Sequence, residues 1–439
     1  MLIRDVEVEG CGRVDVRVRG GRIVELGTRL GGDAGGCPVV DGRGGALLPG
    51  LHDHHIHLAA LAAEPASIRV GPADVAGPAG LAKALRGGAP GEWVRAVGYH
   101  ESVAGELDRA ALDRLVSDRP VRVQHRSGEL WVWNGAALRA AGLDDDGDGD
   151  GNGDGNGDGG GNGNGDGRFW RTDERLRAVL PPTPVDLRGV GRRAADRGVT
   201  GFTNADPYPA PGLPALLRDL PQRLTVMSLD RTAPLKIRLD DLTLPAPAQL
   251  AERIARARPR PVAVHCVTRV QLFVTLLALD EAGGVSGDRV EHGAVIPAEA
   301  LEWLRRLGTT VVTQPHFPVE RAAAYASDVD ADDRPHLYRC GTLAAAGIPV
   351  AAGTDAPYGT ADPWAVMRAA AGRAGPDAVP PRAALGLFQG DALDPGGPPR
   401  TVAPGTPADL CLLHVPLREA LDTLTADCVR TAFVAGRAV

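Results

Sequence analysis

The stretch LLPGLHDHHIHL, residues 47–58, decides how the rest of the chain is read. A short apolar run, Ala46 to Leu51, leads straight into a histidine-rich end. Side chains two apart on a strand share a face, which puts Asp53, His55 and His57 on one side and His54 and Ile56 on the other. Two imidazoles on one face can reach a single cation, and borderline-soft divalent metals, zinc first, accept that donor set. The competing reading is a polar turn with clustered surface histidines.

A chain of 439 residues has room for two or three domains, or for one α/β barrel with additions. An apolar share of 44% supplies a sizeable core, and a net charge of −7 gives no bias towards nucleic acid. The six cysteines (Cys11, Cys37, Cys266, Cys340, Cys411, Cys428) are scattered, with no Cys-x-x-Cys pair. They read as free, mostly buried thiols in a reducing compartment. The chain opens into an alternating strand, and no apolar run reaches the length of a membrane span. The expectation is a cytoplasmic protein with a small-molecule substrate and neither nucleic-acid nor membrane partners. A homodimer is one expected assembly, but no interface is legible.

Residues 1–45 alternate apolar and polar through Val6 and Val8, Val14, Val16 and Val18, and Ile23, Val24 and Leu26. These short antiparallel strands are too small to stand alone. ADLCLLHV (408–415) and RTAFVAGRAV (430–439) carry the same signature. Segments 1–46 and 396–439 are therefore expected to complete one small β-sandwich. Between them, after 46–57, strand-like runs at 198–204, 223–229, 234–240, 261–267, 288–294, 308–315 and 347–355 alternate with helical patterns at 248–257, 269–283, 297–307 and 341–346. Eight strands in that rhythm predict a TIM-like (β/α)8 barrel over 47–395. One joint resists: only Asp230 to Ala233 separates the runs 223–229 and 234–240, too few for a crossover helix. Either one strand reading is wrong or that connection is atypical.

Residues 59–197 do not follow the barrel rhythm and predict an insert over the barrel mouth. It has helical patches at 79–86 and 108–117 and strand-like runs at 92–99 and 120–125. Its tract 144–167, almost all Gly, Asp and Asn, cannot bury a core and reads as a flexible acidic loop. A calcium loop is the weaker reading, because the closing glutamate and the apolar position are missing.

Active sites in barrels sit at the C-terminal ends of the strands. His55 and His57 close the first strand, His265 closes PVAVH, His292 closes RVEH and Asp355 closes PVAAGTD. Each alone reads as a satisfied core or surface group. Together, four histidines and an aspartate at one end of several strands form a pattern that packing does not require. In PLKIRLD, Leu235, Ile237 and Leu239 share the outer face, so Lys236 points inward, where an unpaired ammonium is costly. Only two of the chain's 48 basic residues are lysines, Lys83 and Lys236. A retained inward lysine suggests chemistry that arginine, which does not lose its proton, cannot do. The plainer reading is a lysine paired with Asp206 or another carboxylate.

The set PGLHDHHIH, Lys236, VHCVTR, RVEHG, TQPHF and GTDAP resembles the amidohydrolase superfamily, and more narrowly its amidohydrolase 3 branch, which includes N-substituted formamide deformylases. VQHRSGELWVWNGAALRAAGL (123–143) and the closing VAPGTPADLCLL are similar to the same branch. The resemblance implies a hydrolase of non-peptide C–N bonds in amide or N-formyl-type substrates. His55, His57 and Asp355 would hold one divalent ion, zinc or alternatively manganese or iron. His265 and His292 would hold a second, and Lys236 stands where some members carry a carboxylated lysine bridging the two. Asp355 would be the base for the attacking water, and His125 would polarise the substrate carbonyl. The branch has His-Ala-x-Gly-Asp where this chain has His265-Cys266-Val267-Thr268-Arg269, which leaves the substrate contacts of that loop open. His100, Arg269, Trp131 and His316 are weaker substrate-binding candidates, and Trp133, Tyr99 and Phe317 are candidate pocket walls. His54 is read as lying off the metal face, and His52 as standing behind the ligands or at the surface. A cyclic amidase or deaminase on the same scaffold fits the ligands equally well. A non-catalytic metal- or ligand-binding barrel is the reading from a different class.

Overall fold

The computed structural model describes the chain except residues 32–37, 88–91, 129, 144–163, 171–175, 177–178, 181–184, 208, 210 and 211. Most of the acidic tract expected as a flexible loop, and Cys37, lie outside the described residues. The chain divides into two compact units, Met1–Leu58 with Leu187–Val439, and Ala59–Asp186.

The first unit contains eight parallel strands, β1 (Leu51–Ile56), β2 (Val199–Asn204), β3 (Arg223–Val226), β4 (Leu235–Arg238), β5 (Val262–Cys266), β6 (Arg289–His292), β7 (Thr310–Thr313) and β8 (Val350–Ala352). They form one sheet in the order β3-β2-β1 and another in the order β4-β5-β6-β7-β8. Backbone bonds also join the end of β8 to β1: the Asp355 N–H donates to the His55 carbonyl, and the His57 N–H to the Ala356 carbonyl. No helix lies between β3 and β4, so both strands exist and the connection is the atypical part.

Alternation sorts the strands into faces. Ile237, Val262, Val264 and Val290 are fully buried and pack with Leu250, Ile254, Leu272 and Leu276 from the helices Pro247–Ala257 and Arg269–Ala282. Leu250 and Ile254 recur at helical spacing, which lays one stripe of the first helix on the sheet. Burying such a side chain completely contributes about 1.5–3 kcal/mol. The opposite face carries the polar groups in register. Lys236, Ala263 and Arg289 pair at one level, and Arg238, His265 and Glu291 at the next.

The N-terminal sheet (Leu2–Val8, Gly12–Arg19, Arg22–Gly27, Val39–Asp41) and the sheet of Leu47–Pro49, Leu410–Leu413, Val429–Val434 and Arg437–Ala438 share one core. Ile3, Val16 and Ile23 meet Leu410, Leu412 and Phe433 there. The opposite ends of the chain thus fill a common apolar interior.

The second unit is narrower than the insert expected at 59–197. Helix Leu187–Ala195 belongs to the first unit, where it leads into β2 with Leu187, Val190, Ala194 and Ala195 buried. The second unit has a five-stranded sheet in the spatial order Arg168–Trp170, Leu130–Trp133, Val121–His125, Val94–Tyr99, Ile68–Arg69. Asn134 stops the strand Leu130–Trp133 and starts the next helix, its side chain accepting from the Ala137 N–H. Among the described residues, no helix is long and apolar enough to cross a membrane. The described cysteines are free thiols, with Cys11 exposed and the other four buried.

Candidate metal centre

The histidine-rich end of β1 does not keep strict alternation. Against β2, Asp53 pairs with Phe202 and Ile56 with Asn204, so three steps on one strand face two on the other. Such a bulge reverses which side the following residues face. His52 and His54 therefore stack with each other, ring centroids 4.7 Å apart, and both are buried. His52 Nε2 contacts Thr203 Oγ1 at 2.9 Å. Asp53 does not join the metal face as alternation predicts. Its oxygens accept from the Thr354 N–H and hydroxyl and from the His55 N–H. Burial raises its pKa to about 7 against those bonds.

Beyond the bulge, four imidazoles form a row: His57 to His55 at 5.5 Å, His55 to His292 at 4.7 Å, and His292 to His265 at 4.5 Å between centroids. Asp355 faces the row. Its Oδ1 lies 3.2 Å from His57 Nε2 and 3.5 Å from His55 Nε2, and its Oδ2 lies 4.0 Å from His292 Nδ1. One ligand atom each from His55, His57 and Asp355 falls within 4.8 Å of the others. His292 and Asp355 both have left-handed backbone, φ 67° and 54°. Such conformations are costly for non-glycine residues and cluster at functional sites.

Three of these rings are braced from behind. His55 Nδ1 donates to Glu291 Oε2, His57 Nδ1 to Asp206 Oδ1 at 2.6 Å, and His292 Nδ1 to Gln314 Oε1 at 2.9 Å. A carboxylate or an amide oxygen only accepts, so His55 and His292, as neutral rings, carry the proton on Nδ1 and keep the Nε2 lone pair free, while His57, which also faces Asp355 through Nε2, would give up its Nε2 proton to a bound cation. That is the tautomer a metal ligand needs, fixed by its neighbours. His55 Nε2 and Asp355 Oδ1 are buried and have no hydrogen-bond partner, a rare condition that a cation between them would satisfy. The residues fit a divalent ion.

The charge states differ along the row. Burial works against charge throughout. The His57 ring beside it nevertheless holds the Asp355 carboxyl far below the usual range, with the other imidazoles adding to the effect. Burial also opposes charge on His57, but the carboxylates of Asp206 and Asp355 on either side carry it up to about 9, so this ring is protonated when no cation is bound. His292 is pushed down to about 3 and His265 well below the ordinary value, burial first in both.

Lys236 is buried beneath this row, its Nζ 4.0 Å from Glu291 Oε2. Its carboxylate neighbour is therefore Glu291 rather than Asp206. Glu291 also lies 2.6 Å from Arg289 Nε through its other oxygen. The sequence reading passed over Glu291, although a fully buried acid between Arg289 and His292 in a short strand was a signal. Asp206 and Gln314 carry no such local signal, because their histidine partners are 149 and 22 residues away.

The weaker candidates are placed as follows. His316 is buried against Phe317, centroids 4.6 Å apart, and burial pushes its pKa to about 4. Arg269 spends its donors on Asp333 and Glu299. In the second unit, Trp131 is buried within the sheet core, with Arg95 at 5.3 Å and Arg122 at 5.2 Å from its ring centre, so it serves packing there. His100 and His125, in that unit too, lie 6.1 Å apart on either side of Glu101.

Comparison with known proteins meets this geometry from the other side. The amidohydrolase family model matches residues 38–205 and 240–439. The chain belongs to the amidohydrolase family. It is 29% identical over 151 residues to an N-substituted formamide deformylase from Arthrobacter pascens. That match spans 32% of this chain and only 28% of the relative. Among solved structures, this amidohydrolase resembles an uncharacterised metal-dependent hydrolase from Pyrococcus furiosus, with a TM-score of 0.67 at 19% identity, covering 93% of this chain and 97% of that one. It also resembles a variant of atrazine chlorohydrolase from Arthrobacter aurescens TC1 complexed with zinc and atraton, with a TM-score of 0.56 at 15% identity, covering 100% and 94%. At these identities the likeness concerns the fold.

Proposed function

We propose that this amidohydrolase hydrolyses a non-peptide C–N bond of a small molecule, an amide or N-formyl-type substrate, with a divalent metal, zinc first. The observation that carries the reading is the row of braced imidazoles facing Asp355. The N-formyl preference draws on the similarity to the formamide deformylase. As part of the same reading, the two parallel sheets close into a (β/α)8 barrel, which the backbone bonds between β8 and β1 support.

His55, His57 and Asp355 would hold the ion, with His265 and His292 available to a second and Lys236 as its carboxylated bridge. When bound, the cation acts as a Lewis acid on the scissile carbonyl and on water. The chain's own part is proton handling. Asp355 is kept ionised at neutral pH, so one carboxylate oxygen can take the proton of the attacking water and pass it to the leaving nitrogen. His57 stays in place because Asp206 holds its far nitrogen, and Asn204 Nδ2 donates to Asp206 in turn. Four buried, unpaired thiols suit a reducing compartment and support a cytoplasmic location.

The test is metal content per chain by elemental analysis, on wild type and Lys236→Ala, followed by a screen of amide and N-formyl substrates. About two equivalents falling in the variant support a lysine-bridged pair, and about one in both leaves a single-metal enzyme. Well-folded protein with no tightly bound metal, or metal-loaded protein inert on the whole screen, sinks the reading.

A further inference from the structure

We propose that His100 and His125 form a two-donor clamp for the carboxylate of a small molecule with an apolar body, and that Glu101 is the clamp's internal stand-in. The pattern His-x-Ser occurs at both positions, His100-Glu101-Ser102 and His125-Arg126-Ser127. In each, the serine N–H donates to the ring Nδ1 at 3.2 Å, with the serine Oγ at 2.8 Å from the same nitrogen. A ring nitrogen that accepts a backbone N–H has its lone pair there, so the neutral imidazole carries its proton on Nε2. Burial lowers the pKa of His125, which keeps that ring neutral at pH 7.

Both Nε2 atoms face one oxygen. Glu101 Oε2 lies 3.3 Å from His125 Nε2 and 3.5 Å from His100 Nε2. His125 Nε2 bonds this oxygen and His100 Nε2 stands just beyond bonding distance, so two N–H groups are placed to converge on an anion, where charge-assisted bonds are the stronger ones. A cation needs the Nε2 lone pair, which this turn geometry denies it. Glu101 and His125 also line a pocket of about 180 Å³, walled on the apolar side by Leu107, Val123, Leu130 and Trp170. The Glu101 side chain is 45% exposed and begins a helix of only four residues. Exposed contacts of this type hold weakly. A ligand carboxylate that also fills the apolar pocket can displace it. Here His125 holds a ligand carboxylate instead of polarising a substrate carbonyl, the role that the family resemblance implies for it, and the test reads binding and not turnover.

The experiment is equilibrium dialysis of labelled benzoate against the full chain, with benzamide as the neutral counterpart. Glu101→Ala removes the internal competitor and is expected to tighten benzoate at least tenfold, with less than a twofold change for benzamide. Adding His100→Phe or His125→Phe to that variant is expected to abolish the gain. Equal benzoate affinity in wild type and Glu101→Ala, an equal gain for benzamide, or a gain that survives both phenylalanine changes overturns the proposal. Should a phenylalanine variant fail to fold, nitrogen NMR of ¹⁵N-histidine-labelled wild type decides instead. Protons on Nε2 of His100 and His125 are expected, and protons on Nδ1 overturn the clamp.

Discussion

His292 and His125 both end a β-strand, yet they keep their protons on opposite nitrogens. His292 Nδ1 donates to Gln314, 22 residues further on, which frees Nε2 as a lone pair. His125 Nδ1 accepts from the backbone two residues further on, which leaves Nε2 as a donor. The first brace exists only once the fold has brought two strands together, and the second is written into a single turn. The same side chain thus offers a lone pair or an N–H according to what holds its other nitrogen.

The largest expected effect comes from removing the group the braced rings face. Asp355→Asn should lower kcat by about 10²–10⁴-fold, the usual worth of a positioned general base, and reduce bound metal. Steady-state kinetics with elemental analysis checks both. Full activity in that variant would remove Asp355 from the chemistry. Glu291→Gln comes next. It leaves Lys236 and Arg289 facing a neutral amide in a buried cluster, and breaking such a pair costs about 3–5 kcal/mol. Urea unfolding measures it. A loss under 1 kcal/mol (an order-of-magnitude bound for a pair that matters little) would mean that Glu291 is not what holds these charges.

Acid tests the buried rings around the metal centre. In the metal-free protein, burial keeps His52, His54 and His265 well below the ordinary pKa, His292 near about 3 and His316 near about 4. The unfolded chain takes up protons on these residues from about pH 6.5, and the folded chain refuses them. Their stability contribution is therefore complete above pH 6.5. It falls by about 1.4 kcal/mol per pH unit for each residue as the pH drops towards the folded values. Asp53, raised to about 7, works in the opposite sense but is one group against several. His57, raised to about 9, adds stability that is complete below 6.5 and lost as the pH climbs through 9. Urea midpoints at pH 7.5, 6.5, 5.5 and 4.5 should fall steeply on the acid side. A flat profile would contradict the buried neutral state of these rings.

The strand ends were legible because a polar, metal-competent residue closing an apolar run is hard to explain by packing. His55, His57, His265, His292 and Asp355 all announce themselves that way. The sequence does not show the β1 bulge, which turns Asp53 away to Thr354 and reverses the faces of its neighbours. Nor does it show the left-handed backbone at His292 and Asp355, since neither residue type demands it. The braces were hidden for the same reason: Glu291 and Asp206 acquire partners 236 and 149 residues away, and nothing local advertises such a bond. The limit of the insert was misread because the helix Leu187–Ala195 looks like any other amphipathic segment until its buried side is seen to belong with β2. In contrast, the brace of His125 lies in plain sight as His-Arg-Ser. What the sequence alone leaves open is which ring nitrogen the Ser127 N–H meets.

The comparison can be sharpened by removing one brace of each kind. Gln314→Ala deprives His292 Nδ1 of its acceptor, so the ring can turn or change tautomer, and metal affinity should weaken by about tenfold, the lower end for lost support behind a ligand. Chelator competition reads this directly, and it should hold if His292 contributes to the site. Ser127→Ala removes only the hydroxyl at His125, and the N–H of residue 127 still donates to Nδ1. The tautomer is then retained, and stability should change by no more than about 0.5 kcal/mol, as for other exposed substitutions. Nitrogen NMR of His125 in Ser127→Ala is the sharper check. If the proton moves to Nδ1 there, the hydroxyl and not the backbone sets the donor, and the two regions differ in reach but no longer in kind.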